Sequence, residues 1–242
     1  MTISQLRGLL DLPAGLILCE KMRLVPGQGL SEKDVDDVLA QATATAHRDR
    51  LDFSLWRRTP RRADRALSHK YRIENTLISA PRRIDEDHYD VDLLVDENSE
   101  LMGDHQTGQH LQGMLMIEAI RQAFMAIAEA FFLPSGDIEY YFLFNTLAVE
   151  LKRFIFPIAT CLHCTILEKD LSGTSRRFVM EALFEQAGSE TARISGSFTV
   201  AKYRSIKKME QLLAKETITS HFATLAAADQ RSLGEAAHAA AQ

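Results

Sequence analysis

Cysteine is scarce in this chain. Cys19, Cys161 and Cys164 are the three in 242 residues, an odd number that builds no even disulfide framework, so a reducing compartment, the cytoplasm, is expected. Nowhere is there a run of about 18 apolar residues, which argues against a membrane-spanning helix. The opening MTISQLRGLLDLPAG lacks the basic start and continuous apolar core of a secretory signal. Positive charge is not in excess: the net charge of −5 speaks against a whole-chain nucleic-acid binder. No helix-turn-helix or other reader pattern is evident either, and no internal repeat is visible. Apolar content of 46% and charged content of 25% are ordinary for a globular protein. The length suggests one large domain, or one domain with sizeable additions.

What the chain does have is one unusual segment, Met114–Ala128, MLMIEAIRQAFMAIA. It is apolar except for Glu118, Arg121 and Gln122. Their spacing of three and four residues puts them on one helix face. A helix apolar nearly all round is expected to be buried, and buried charges need partners. A carboxylate, a guanidinium and an amide clustered in an apolar setting are either a structural ion pair or a reaction centre.

The surrounding pattern orders the rest. Ser31 followed by Asp34 reads as an N-cap opening a helix through about Ala46. Arg48–Arg65, RDRLDFSLWRRTPRRADR, is basic, contains Pro60 and reads as a linker or surface arm; its arginines could also dock an acidic partner. From His69 the pattern alternates. Tyr71, Ile73 and Leu77 suggest one strand, and Tyr89, Val91, Leu93 and Val95 keep a strict period of two. A polar loop over 96–109 leads into the helix, about Gly113–Phe132, with Pro134 beyond it. Four strands are expected at Phe144–Phe154, Thr160–Lys169, Phe178–Gln186 and Ala192–Tyr203. Ser205–Gln242 reads as a terminal helix with a fraying alanine-rich tail. Two strands, a buried helix and four more strands describe an α+β hotdog fold, an antiparallel sheet wrapped around one long central helix. Three regions are expected: an N-terminal extension over 1–66, the hotdog domain over 67–204, and a C-terminal helix and tail over 205–242. The uncovered sheet edge and helix side favour a homodimer.

The segment His105-Gln-Thr-Gly-Gln-His110-Leu-Gln-Gly113-Met-Leu-Met-Ile-Glu118-Ala-Ile-Arg121-Gln122 resembles the signature of the A-factor biosynthesis hotdog (AfsA-like) family, approximately Asp-His-Val-Pro-Gly-Met-Leu-Leu-x-Glu-Ala-x-Arg-Gln. His69-Lys70, Asn75-Thr-Leu-Ile78 and Phe154-x-x-Pro157 resemble the family as well. The likeness covers about residues 66–203. Gln109 stands where the family has an acid, Gln112 replaces its proline, and this chain carries one repeat where founding members carry two. More distantly, the block resembles the β-hydroxyacyl-ACP dehydratases, in which a His lies fourteen residues before the Glu. Here that register falls on Asp104, next to His105. Arg121 favours the AfsA-like likeness.

That likeness implies transfer of a β-ketoacyl group from an acyl carrier protein thioester to the hydroxyl of dihydroxyacetone phosphate or a similar C3 phosphate, on the way to a butenolide or γ-butyrolactone. The residues suit such chemistry. Glu118, desolvated against Met114 and Met125, would have a raised pKa and act as general base. Arg121 would orient it or bind the acceptor's phosphate. Gln122 would hold the β-keto group. Unpaired amides near Gly113 and Met114 would receive the oxyanion, and Gly113 would let substrate approach closely. His110 is a second acid/base or a clamp, and His105 a substrate contact or a loop residue. A hotdog dehydratase or thioesterase, and a non-catalytic acyl-binding regulatory module, are the competing readings. No cofactor is expected. Cys161-Leu-His-Cys164 is not read as a metal site: there is no second cysteine pair, and in a strand Cys161 and Cys164 point to opposite faces.

Overall fold

The computed structural model describes residues 1–16, 20–102, 109–134 and 139–240. Cys19, Asp104 and His105 lie outside the described residues. Chain order gives α1 (Ile3–Leu10), β1 (Met22–Arg23), α2 (Glu32–Ala44), β2 (Leu51–Asp52), α3 (Arg65–Ser68), β3 (Arg82–Arg83), β4 (His88–Asp92), α4 (Gly113–Phe132), β5 (Tyr140–Leu151), β6 (Cys161–Asp170), β7 (Arg176–Gln186), β8 (Ser189–Lys202) and α5 (Tyr203–Ala240). Six strands form one antiparallel sheet in the order β3-β4-β6-β7-β8-β5.

The alternation dictates which face meets α4. Phe178, Met180, Ala182 and Phe184 of β7 are buried, as are Leu162, Cys164 and Ile166 of β6. Register then stacks aromatics across strands. Phe178 lies opposite Phe198, and Phe198 opposite Phe144, with ring centroids 5.2 and 5.4 Å apart. Phe124 of α4 rests on the same Phe198 ring at 6.2 Å. Such cross-strand pairs fix which face turns inward. β5 carries a bulge between Phe144 and Thr146. Opposite it stands Gly196, where a Cβ would fall 2.8 Å from the Thr146 carbonyl oxygen, so only glycine lets the two backbones approach this closely. Leu133 and Pro134 end α4, as the sequence suggests.

Two expectations are corrected. The stretch from Tyr71 to Leu77 is not a strand. Tyr71 is 90% exposed, and Ile73–Asn75 forms a single 3-10 turn. The backbone here is committed elsewhere: the Leu77 N–H donates to the Gln122 side-chain oxygen, and the Asn75 carbonyl accepts from the Gln122 amide nitrogen. The sheet's first strand is instead the short β3. Nor is Arg48–Arg65 a free arm. Leu51 and Asp52 pair in parallel with Met22 and Arg23. Leu51, Phe53 and Trp56 join Leu6, Leu10, Val35, Val38 and Ala42 in a second apolar cluster, so apolar side chains scattered among the arginines decide the matter. Arg61 meets Asp36 and Glu32.

Arg62 goes furthest inward. Its side chain is 5% exposed and lies 3.6 Å from Asp96, itself 4% exposed. It also donates to the Thr76 and Leu30 carbonyls. Nearby, the Gln28 side chain donates to the Leu93 carbonyl and accepts the Val95 N–H, so residues 28–30 are stitched to the chain beyond β4. α2 starts as expected, with Ser31 accepting the Asp34 N–H in a capping box. None of the helices among the described residues is long and apolar enough to cross a membrane.

Leaving Asp96 buried without its cation should be costly. Arg62→Ala is expected to lower unfolding free energy by about 3–5 kcal/mol in urea titrations, whereas Arg57→Ala, on the exposed turn, should stay within about 0.5 kcal/mol. Equal effects would return the segment to a loose arm.

Candidate active site

The polar face of α4 is where the sequence places its charged residues. The Glu118 side chain is 18% exposed and Arg121 34% exposed, so the pair is open on one side rather than sealed. Arg121 grips Glu118 with two parallel bonds, Nε to Oε2 and one Nη to Oε1, both 2.8 Å. The spacing of three residues along a helix permits this fork, and a fork on a carboxylate is the strong form of such a pair. The other guanidinium nitrogen lies 2.9 Å from Met125 Sδ.

Sequence reasoning missed the next partner. Lys70 Nζ lies 2.7 Å from Glu118 Oε1, and its side chain is 26% exposed. The residue before it, His69, caps α3 in the left-handed conformation (φ 54°). His69 itself is held by Glu129, with Nε2 2.5 Å from Oε2, and by an edge contact to Phe142. A backbone held this way aims Lys70 at α4. The signal was present in His69-Lys70, but no local pattern ties a lysine to a glutamate so far along the chain.

The electrostatics reverse the expected role of Glu118. Burial alone pushes its carboxyl up, but the hydrogen bonds from Arg121 and Lys70, the charge of Arg121 and the bond from Gln122 together hold its pKa down at about 2. A carboxylate that acidic is a weak base at neutral pH. Arg121 is held above its ordinary range by the hydrogen bond to Glu118. Lys70, Arg121 and Glu118 thus make a group of net charge about +1 on a half-open face.

Gln122 is fully buried. Its amide nitrogen donates to Glu118 Oε1 at 2.9 Å and to the Asn75 carbonyl at 3.0 Å, while its oxygen accepts the Leu77 N–H. Gln122 therefore ties the irregular segment before the sheet to α4, which leaves little of it for a substrate. At the amino end of α4, Gln112 gives no side-chain cap, so the first amides, including those of Gly113 and Met114, are of the kind a helix leaves unpaired. Met114 is exposed. A Cβ on Gly113 would lie 3.1 Å from the Leu151 side chain, so the space that glycine opens is filled by β5. His110 packs against Phe154 with ring centroids 4.5 Å apart and the rings tilted, just ahead of the helix. An apolar cavity of about 270 Å³ lies elsewhere, lined among others by Val25, Leu30, Leu55 and Leu93, and touches none of these residues.

A single antiparallel sheet folded on one central helix, with its charged residues on the helix's open face, is the hotdog architecture. The chain belongs to the A-factor biosynthesis hotdog family, AfsA, whose family model matches residues 51–222. None of the curated proteins matches the chain. Among solved structures, it is similar to a mutant thioesterase of Pseudomonas aeruginosa (16% identity, 60% of this chain and 96% of that one, TM-score 0.42). It is also similar to a phenylacetic acid degradation-related protein of Ralstonia eutropha described as a putative thioesterase (11%, 49% and 82%, 0.38), and to a thioesterase of Haemophilus influenzae (13%, 52% and 78%, 0.36).

The low pKa of Glu118 fixes the sign of a pH effect. The group is more acidic folded than in the unfolded chain, near 4.5, so its ionised form stabilises the fold above about pH 4.5. That contribution is lost as pH falls from 4.5 toward 2. Glu118→Gln should therefore destabilise the protein by on the order of 2–3 kcal/mol at pH 7, and the difference from wild type should shrink steadily on acidification through that window. A difference independent of pH between 7 and 3 would mean the carboxylate is not held by these cations.

Proposed function

We propose that this protein is an acyltransferase that moves a β-ketoacyl group from an acyl carrier protein thioester to the hydroxyl of a small C3 phosphate such as dihydroxyacetone phosphate. In a member of the AfsA family, the observation that carries this reading is the pinned pair of cations, Lys70 and Arg121, sharing one carboxylate on the half-open face of α4. Surplus positive charge at a partly desolvated site suits a phosphate.

The roles follow from what each group has free. Glu118 is a positioning residue that holds Lys70 and Arg121. Their remaining donors bind the acceptor's phosphate. The unpaired amides at Gly113 and Met114 receive the oxyanion as the acceptor oxygen bonds to the thioester carbon. The carbon–sulfur bond then breaks and the carrier leaves as its thiol. His110, ahead of the helix, takes the hydroxyl proton and passes it to the leaving sulfur, since imidazole is the commonest group for such transfers. His105, outside the described residues, is kept as a proposed substrate contact. The product ester is the kind of precursor that closes to a butenolide or γ-butyrolactone.

The working unit is proposed to be a homodimer. β5 is an edge strand of the sheet, and Leu147, Val149 and Leu151 on it, with Phe154, Phe156 and Ile158 beyond, are all exposed. An apolar edge of this kind invites pairing, and Leu151 adjoins the amino end of α4. Mass photometry at about micromolar concentration is expected to show the dimer, and Leu151→Lys to shift it toward monomer. A stable wild-type monomer would sink this part.

Steady-state kinetics test the chemistry. Arg121→Lys keeps charge but loses the fork that pins the cation on Glu118 and aims its remaining donors, so the acceptor's KM should rise about ten- to a hundredfold while the KM for acyl carrier thioester changes little. An unchanged acceptor KM, or equal activity with glycerol-type acceptors lacking phosphate, contradicts the assignment. Release of free acid with water as the acceptor would mark a thioesterase instead.

A further inference from the structure

The outer face of the sheet carries a second cluster that the acyl-transfer reading does not use. In β6, Leu162 and Cys164 point inward and are buried. Cys161 and His163, two residues apart, therefore share the outer face. Register completes the group: Asp90 of β4 lies opposite His163, Asp92 opposite Cys161, and Glu185 of β7 opposite Cys161 from the other side. One ligand atom each from Asp90, Cys161 and His163 lies within 4.8 Å of the other two. His163 Nδ1 is 2.7 Å from Asp90 Oδ1, and its Nε2 is 3.5 Å from Glu185 Oε2. Asp90 faces Nδ1 and Glu185 faces Nε2, so Glu185 is placed to orient the imidazole while Asp90 is placed to share an ion with it.

We propose that Asp90, Cys161 and His163 form a binding site for a divalent transition-metal ion of the zinc type, with water completing the shell. The donor set decides the ion. One sulfur, one imidazole nitrogen and one carboxylate oxygen suit a borderline-soft cation and not magnesium or calcium, which take oxygen shells. Charge agrees: Asp90, Asp92 and Glu185 outweigh Arg82, which pairs with Asp92. Position agrees too: the three donor atoms lie within 4.8 Å of one another on paired strands, and an ion would replace the present His163–Asp90 hydrogen bond. On binding, the Cys161 thiol loses its proton to solvent and its sulfur bonds the ion, with no change of oxidation state. The ion would staple β4 to β6. Cys161 and His163, at strand spacing, share a face, whereas Cys161 and Cys164 face opposite ways.

Cobalt(II) is the probe, because thiolate ligation gives it a charge-transfer band in the near ultraviolet. Titration of the full chain is expected to show that band saturating at one equivalent. Cys161→Ser should abolish it, and His163→Ala should weaken binding about tenfold or more. A variant that fails to fold is replaced by a test on the unaltered protein: zinc should protect Cys161, mapped by mass spectrometry, from alkylation by iodoacetamide. A wild-type titration without the thiolate band, the same band in Cys161→Ser, or alkylation of Cys161 unaffected by zinc would each overturn the proposal.

Discussion

Taking the Glu118 carboxylate largely out of water costs several kcal/mol, and α4 offers it no apolar compensation. Four hydrogen bonds from three side chains offset that cost: two from Arg121, one from Lys70 and one from Gln122. Each donor is in turn committed to something larger. Gln122 holds the backbone at Asn75 and Leu77, which forces the chain before the sheet into an irregular path. Lys70 follows the left-handed His69. The carboxylate directs both cations, and Gln122, bonded to it, ties the segment between α3 and β3 to α4.

This constraint also separates structural from chemical roles. A half-buried glutamate on an apolar helix reads from sequence as a raised-pKa base, because desolvation is the visible term. The structure adds three donors and the sign reverses. The carboxylate is then a fixed anion, and what it fixes is the direction of the two cations it holds. In the proposed reaction, the net positive charge facing solvent would meet the acceptor's phosphate, and the helix amides would meet the developing oxyanion.

Legibility followed the range of the forces involved. The period of two in Phe178–Phe184 and the apolar run of α4 report burial directly, so those elements emerged within a few residues of their observed bounds. The Glu118–Arg121 pair was legible because both partners lie on one helix turn. Lys70 was not, since its contact depends on how a loop distant in sequence returns to α4. The Tyr71–Leu77 stretch misled because its apolar residues bond and pack as single contacts rather than as a strand. Arg62 misled in the opposite sense: among neighbouring arginines nothing in its type marks it as the buried one, and only Asp96, far along the chain, selects it. The family likeness, by contrast, rests mainly on the contiguous run from Gly113 to Gln122, where sequence order is itself the signal.

The most direct test is a titration of the Glu118 carboxyl itself, followed by carbon-13 NMR in protein labelled at glutamate side-chain carboxyls and assigned with Glu118→Gln. Glu118 is expected to stay ionised well below the ordinary glutamate range, with a midpoint near 2, and to move up toward that range in Arg121→Met and Lys70→Met. A midpoint at or above about 4.5 in the unaltered protein would mean the cations do not hold it, and Glu118 would return to the role of general base.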